Sequence, residues 1–125
     1  MKEELKKEFV TPTIAVMLGD LGFNEACFNH YIFLDPQTPK TEQEGILVDS
    51  GSDCDNTKYF VKAPLWQQAI AFLKTKGVLV TECWDGWEYG LDGDDFDYTK
   101  TLEEAVLKAI IKISALIALD LNNQL

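Results

Sequence analysis

Cys27 and His30 stand three residues apart, and a thiol beside an imidazole is the one pairing in this chain that could make an activated nucleophile. The segment that carries His30, Phe28 to Leu34, is rich in aromatic and β-branched residues and stops at Asp35-Pro36, which cannot continue a ladder. It therefore reads as a strand, on which His30 points to the same side as Phe28 and Ile32. A strand-face histidine making structural contacts is the better reading than a base for Cys27.

Clustered oxygens raise the question of a metal. In Asp92-Gly93-Asp94-Asp95-Phe96-Asp97, a calcium loop begun at Asp92 would put Phe96 at position 5 and Val106 at position 12, where oxygen ligands belong. The match fails, and an acidic turn before a helix N-terminus is already favoured by the macrodipole. Asp49, Ser52, Asp53, Asp55 and Asn56 form a second cluster, of residue types that also make ordinary turns. Glu82 and Glu88 fall on opposite faces of a hairpin, which argues against a shared acid/base site. There is no glycine-rich phosphate loop, G-x-S-x-G or H-E-x-x-H. No catalytic, cofactor-binding or metal-ligating residue is assigned.

The remaining chemistry is aromatic. Trp84, Trp87 and Tyr89 flank Asp85-Gly86, the favoured dipeptide of a type I′ hairpin turn. A loop made of Asp85 and Gly86 would set Trp84 opposite Trp87, Glu82 opposite Tyr89 and Val80 opposite Leu91 on one face, with Cys83, Glu88, Thr81 and Gly90 on the other. The three rings then form either the rim of the core or a platform for a ligand or partner.

These residues must be positioned by the elements around them. After a charged lead-in, 1–9, Thr11-Pro12 is a helix start and Gly22 a helix stop, with Ile14, Met17, Leu18 and Leu21 at helical spacing between them. The stretch 36–56 reads as a long irregular acidic loop that holds at most a short strand at Ile46 to Val48. Tyr59 to Val61 reads as a strand, and Pro64 opens a helix whose apolar face ends at Gly77. Val78 to Trp84 and Trp87 to Leu91 form the hairpin. The acidic turn Asp92 to Tyr98 leads to Thr101 and Glu104, a capping box for the last helix. There Leu102, Ala105, Val106, Ala109, Ile110, Ile113, Leu116 and Ile117 form one apolar stripe, while Ile111, Ala115, Ala118 and Leu119 add apolar area outside it. A helix greasy on two sides is either central to its domain or forms a homo-oligomer through the second side. The predicted fold is a single α+β domain, 1–125, in the order α-β-β-α-β-β-α, with about four antiparallel strands and helices on one face.

Composition narrows the function classes. The 125 residues carry 21 acidic side chains against 11 lysines and no arginine, a net charge of −10. Without arginine's bidentate fork, and with its lysines scattered, the chain is not expected to bind nucleic acid directly. Three widely spaced cysteines, Cys27, Cys54 and Cys83, suggest free thiols. The charged N-terminal residues suggest no signal peptide, and Ala109 to Leu119 is too short to span a bilayer. A cytoplasmic protein, with no membrane partner and no cofactor, is expected.

Three stretches carry a resemblance. Gly22-Phe23-Asn24-Glu25-Ala26-Cys27-Phe28, then Ala63-Pro64 with Gln67-Gln68-Ala69-Ile70 and a Lys-Gly helix end, then Leu102-Glu103-Glu104-Ala105 resemble, in that order, a family of small uncharacterised proteins from phages, prophages and gut Bacteroidetes. Ala26 stands where that family usually has proline, and Leu65-Trp66 where it has Thr-Tyr. The resemblance implies an accessory protein of a mobile element or gut bacterium and no particular chemistry.

The leading expectation is a non-enzymatic interaction module for itself or another protein, with Trp84, Trp87, Tyr89, Ile111, Ala115, Ala118 and Leu119 as its candidate surface. The alternatives are a small-molecule-binding or enzymatic domain with a cleft between the tryptophan hairpin and the 36–56 loop, and an acidic DNA mimic that inhibits a host protein.

Overall fold

The computed structural model describes residues 7–35, 37–49 and 60–123. The second acidic cluster beyond Asp49, together with Cys54 and Tyr59, lies outside them. The chain divides into two compact units, 1–69 and 70–125. The architecture is α+β, but the single four-stranded sheet expected from the sequence is replaced by two antiparallel sheets of three strands each.

In the first unit, helix α1 (Pro12–Asp20) starts as predicted, with the Thr11 hydroxyl accepting from the Ile14 amide at 3.3 Å. It ends one residue short of the expected Leu21. Gly22 adopts φ +100°, the Gly22 amide donates to Gly19 O and the Phe23 amide to Leu18 O, each at 3.0 Å. This is the doubly bonded C-cap that a left-handed glycine permits.

Strand β1 (Asn29–Ile32) is the centre of the first sheet, between β2 (Ile46–Asp49) and β3 (Phe60–Ala63). The short strand expected within the long loop forms, one residue longer, as an edge strand preceded by a 3₁₀ turn over Lys40–Glu42. Asp35 organises its start: the carboxylate accepts from the Gln37 amide at 2.9 Å and the Thr38 hydroxyl, and these hydrogen bonds hold its pKa below the usual value. Gly45 then passes close to Phe33, whose ring would stand 3.1 Å from a Cβ at that position. Tyr31 and Phe33 are buried in the core with Val61 and Ala63, and α1 packs on β3.

The lead-in is shorter than expected, because its end belongs to the fold. Phe9 bridges Leu65 in antiparallel fashion, the Val10 amide donates to Pro64 O at 3.0 Å, and the Trp66 amide and indole donate to Glu8 O and Lys7 O. These contacts hold Pro64 and Leu65 extended. Helix α2 (Trp66–Thr75) therefore begins after Leu65, not at Pro64, and Gln68 closes its first turn by accepting from the Leu65 amide at 3.0 Å.

In the second unit, β4 (Val78–Cys83), β5 (Gly86–Leu91) and β6 (Asp97–Thr99) form a meander, and helix α3 (Leu102–Asn123) packs on β4 and β5. The sequence alone places β6 within an acidic turn. Three residues beginning with aspartate show no alternation, and they become a strand only by pairing Asp97 with Tyr89 and Thr99 with Trp87. Helix α3 is capped at Thr101, whose hydroxyl accepts from the Glu104 amide at 3.2 Å. Its buried residues are Ala105, Val106, Ala109, Ile110 and Ile113, set against a sheet that buries Val78 and Val80.

Candidate functional site

The hairpin departs from the expected register. Val80 pairs with Tyr89, Glu82 with Trp87 and Cys83 with Gly86, so the two-residue loop is Trp84-Asp85 rather than Asp85-Gly86. Neither loop residue has a positive φ, which rules out the type I′ turn. The reason is tertiary. A Cβ built at Gly86 would lie 2.5 Å from the Thr99 carbonyl oxygen and 2.6 Å from the Tyr98 ring. Gly86 is needed as a strand residue over which β6 can lie, and so it is not free to be a turn residue. Gly90 plays the same part for Phe96, whose ring would stand 2.7 Å from a Cβ there.

The changed register moves Trp84 out of the sheet and leaves it 99 % exposed. The expected face of three rings is therefore not formed: Trp87 and Tyr89 share a face half-buried, and Trp84 stands apart at the tip. Glu82 and Glu88 do fall on opposite faces, opposite Trp87 and Thr81. Tyr98, absent from the surface expected on sequence, joins the tip. Its hydroxyl donates to Asp85 O at 2.9 Å and its ring remains 48 % exposed. Desolvation first, then the charges of Asp85, Cys83 and Glu104, push its pKa upward. A signal for Tyr98 was present: Gly86 and Gly90, four residues apart, share one face of β5, and two rings, Phe96 and Tyr98, follow at alternate positions, the pattern of rings laid over bare glycines.

The second surface is the distal part of α3. Twenty-two residues make a helix about 33 Å long. The six-residue strands beneath it are only about 20 Å long. The helix overruns its sheet, and burial stops at Ile113. Leu116 and Ile117, expected in the core stripe, are 41 % and 46 % exposed for this reason. The run 114–121 is exposed at every position and is apolar except for Ser114 and Asp120. Ala115, Ala118 and Leu119 lie in it, and Ile111, one turn earlier, is exposed too.

The Cys27 thiol, weighed above as a nucleophile and set aside, has a raised pKa. Cys27 is buried, its sulfur 3.5 Å from Glu25 O and 4.0 Å from Gln68 Oε1. Burial pushes its pKa up to about 11 against the opposing pull of Lys62, leaving almost no thiolate at neutral pH. His30 is fully buried opposite Lys62 and Val48, whereas Phe28 is exposed beyond the strand end. The Lys62 ammonium donates to Asn24 O at 3.2 Å.

Among the described residues, no group of three or more His, Cys, Asp or Glu is placed to hold a metal ion. No helix among them is long and apolar enough to cross a membrane. A cavity of about 120 Å³ beside α1, lined by Val16, Gly19, Asp20, Lys40 and Val61, is well below the several hundred Å³ of a metabolite site. No family model, no curated protein and no solved structure matches this chain. The resemblance to the phage and Bacteroidetes family gains no support from them.

Proposed function

We propose that this chain is a non-enzymatic protein-interaction module that associates with a second copy of itself through the distal turns of α3. One observation carries the reading: beyond Ile113, where the sheet ends, the helix continues for two turns in which Leu116, Ile117, Leu119 and Leu121 are all between 41 % and 58 % exposed. Contiguous apolar surface of this kind on a folded chain is characteristic of a contact surface. The hydrophobic return for covering it, about 25 cal/mol per Å², is available to a partner and not to the chain's own short strands. A second copy supplies a surface of the same character without a further component, in the two-fold manner common to homodimers.

Sedimentation equilibrium across a wide concentration range tests the proposal. The expected result is a reversible monomer–dimer equilibrium for the native chain and a monomer for the Leu116→Lys/Leu119→Lys variant with unchanged circular dichroism. A native chain that stays monomeric at high micromolar concentration overturns it.

A further inference from the structure

The hairpin tip is a separate surface, remote in sequence from the distal turns of α3, with a different chemistry. Trp84 is almost wholly solvent-exposed on a two-residue loop. That loop is held: Tyr98 lies over Gly86 and donates its hydroxyl to the Asp85 carbonyl, so β6 braces the turn from the side. Because the backbone of the loop is already held, little backbone freedom is lost when a partner covers the tryptophan, which suits an interface anchor.

Charge says which partner. Tyr98 has Glu88 as its cross-strand neighbour, and its phenol lies within the electrostatic reach of Asp85 and Glu104. Asp85 is itself a loop residue beside Trp84. Against these three carboxylates stands Lys100, the residue after β6. An aromatic face offers its negative quadrupole to a cation, and carboxylates nearby offer a counter-charge. Phosphate groups would be repelled by the same carboxylates, which excludes nucleic acid. Two copies meeting tip to tip would set these same carboxylates against one another, so the tip does not fit its own counterpart.

We infer that the Trp84–Tyr98 tip, with Asp85, Glu88 and Glu104, is a docking surface for a basic segment of another protein, whose lysine or arginine side chains stack on the two rings and pair with the carboxylates. The acidic charge of the whole chain would speed the encounter, and the tip would give it a place.

The test is a fluorescence-anisotropy titration of the intact protein with a short labelled Lys/Arg peptide, alongside an acidic peptide of equal length and a single-stranded oligonucleotide. The native protein should bind the basic peptide alone. Trp84→Ala should weaken binding about tenfold, the loss typical of an aromatic anchor, Trp84→Phe should keep most of the affinity, and Glu88→Gln should weaken it too. Trp84 is fully exposed, so its substitution leaves the core intact. The control is the triple change Asp92→Asn, Asp94→Asn and Asp95→Asn, which removes three charges at the other end of β5 and should alter affinity far less. Failure of the basic peptide to bind, equal binding by Trp84→Ala, preference for the acidic peptide or oligonucleotide, or an equal loss in the triple variant would each overturn the inference.

Discussion

The Tyr98 ring occupies the space that a side chain on Gly86 would need: a Cβ built there would stand 2.6 Å from the ring carbon Cε2 and 2.5 Å from the neighbouring Thr99 carbonyl. Backbone and ring together leave no direction in which a methyl group could relax. Gly86→Ala should therefore destabilise the second unit by about 1–3 kcal/mol, the usual cost of overpacking. Trp84→Ala, two residues away but free in solvent, should stay within about 0.5 kcal/mol of the native value. Urea denaturation of the two variants measures the contrast. Equal midpoints would mean that β6 does not lie on Gly86.

Adjacent isoleucines on α3 should behave differently. Ile110 is 1 % exposed and Ile111 is 53 % exposed. Ile110→Ala should cost about 2–5 kcal/mol through lost burial and the cavity left behind. Ile111→Ala should cost less than about 1 kcal/mol in the monomer, with any larger effect appearing in the concentration dependence of melting, because Ile111 borders the proposed self-association surface.

The caps of α1 give a local test. Thr11→Ala removes the hydroxyl that accepts from the Ile14 amide and should cost about 0.5–2 kcal/mol. Gly22→Ala meets no steric obstacle, since nothing lies within 4 Å of where its Cβ would stand, but it must hold φ near +100°. Its cost, about 1–2 kcal/mol, would be conformational strain alone, and Gly22→Asn should be milder, as asparagine tolerates the left-handed region. Thermal melts of the three variants rank them.

Alkaline pH should weaken the first unit. Burial holds Cys27 at about 11 and Tyr31, whose hydroxyl donates to the Val10 carbonyl, at about 12, against ordinary values of 9.0 and 10.0. In the window between, the unfolded chain has released protons that the folded chain still binds, so stability falls as pH rises. It is fully present below about pH 9 and lost progressively toward pH 12. Urea midpoints measured from neutral to alkaline pH should show this decline, and Cys27→Ala should make it shallower. At neutral pH, peptide mapping after brief alkylation should find Cys27 unmodified until denaturant is added.

Signals confined to a few neighbouring residues were legible in the sequence. Thr11-Pro12 and Gly22 bounded α1, Thr101 capped α3, Gly77 with φ +94° closed α2, and the alternation around Asp85-Gly86 announced a hairpin. Each depends on a backbone preference or a hydrogen bond within one turn, which the local residues settle among themselves. The inertness of Cys27 was not legible in that way, because burial decides whether a thiol ionises.

Three features were decided by the tertiary structure alone. Gly86 satisfies a turn and a bare strand position equally well, and the close approach of Thr99 and Tyr98 selected the second, shifting the register and expelling Trp84. The short strand expected at Ile46 to Val48 did form, as Ile46–Asp49, but its place as an edge strand on the open side of β1 was set by the pairing and not by its own residues. The apolar stripe of α3 runs unbroken through Leu116 and Ile117, whereas its cover ends where six-residue strands end. Helix periodicity is written in the order of the side chains, but the length of the surface a helix rests on is written elsewhere in the chain, and only folding brings the two together.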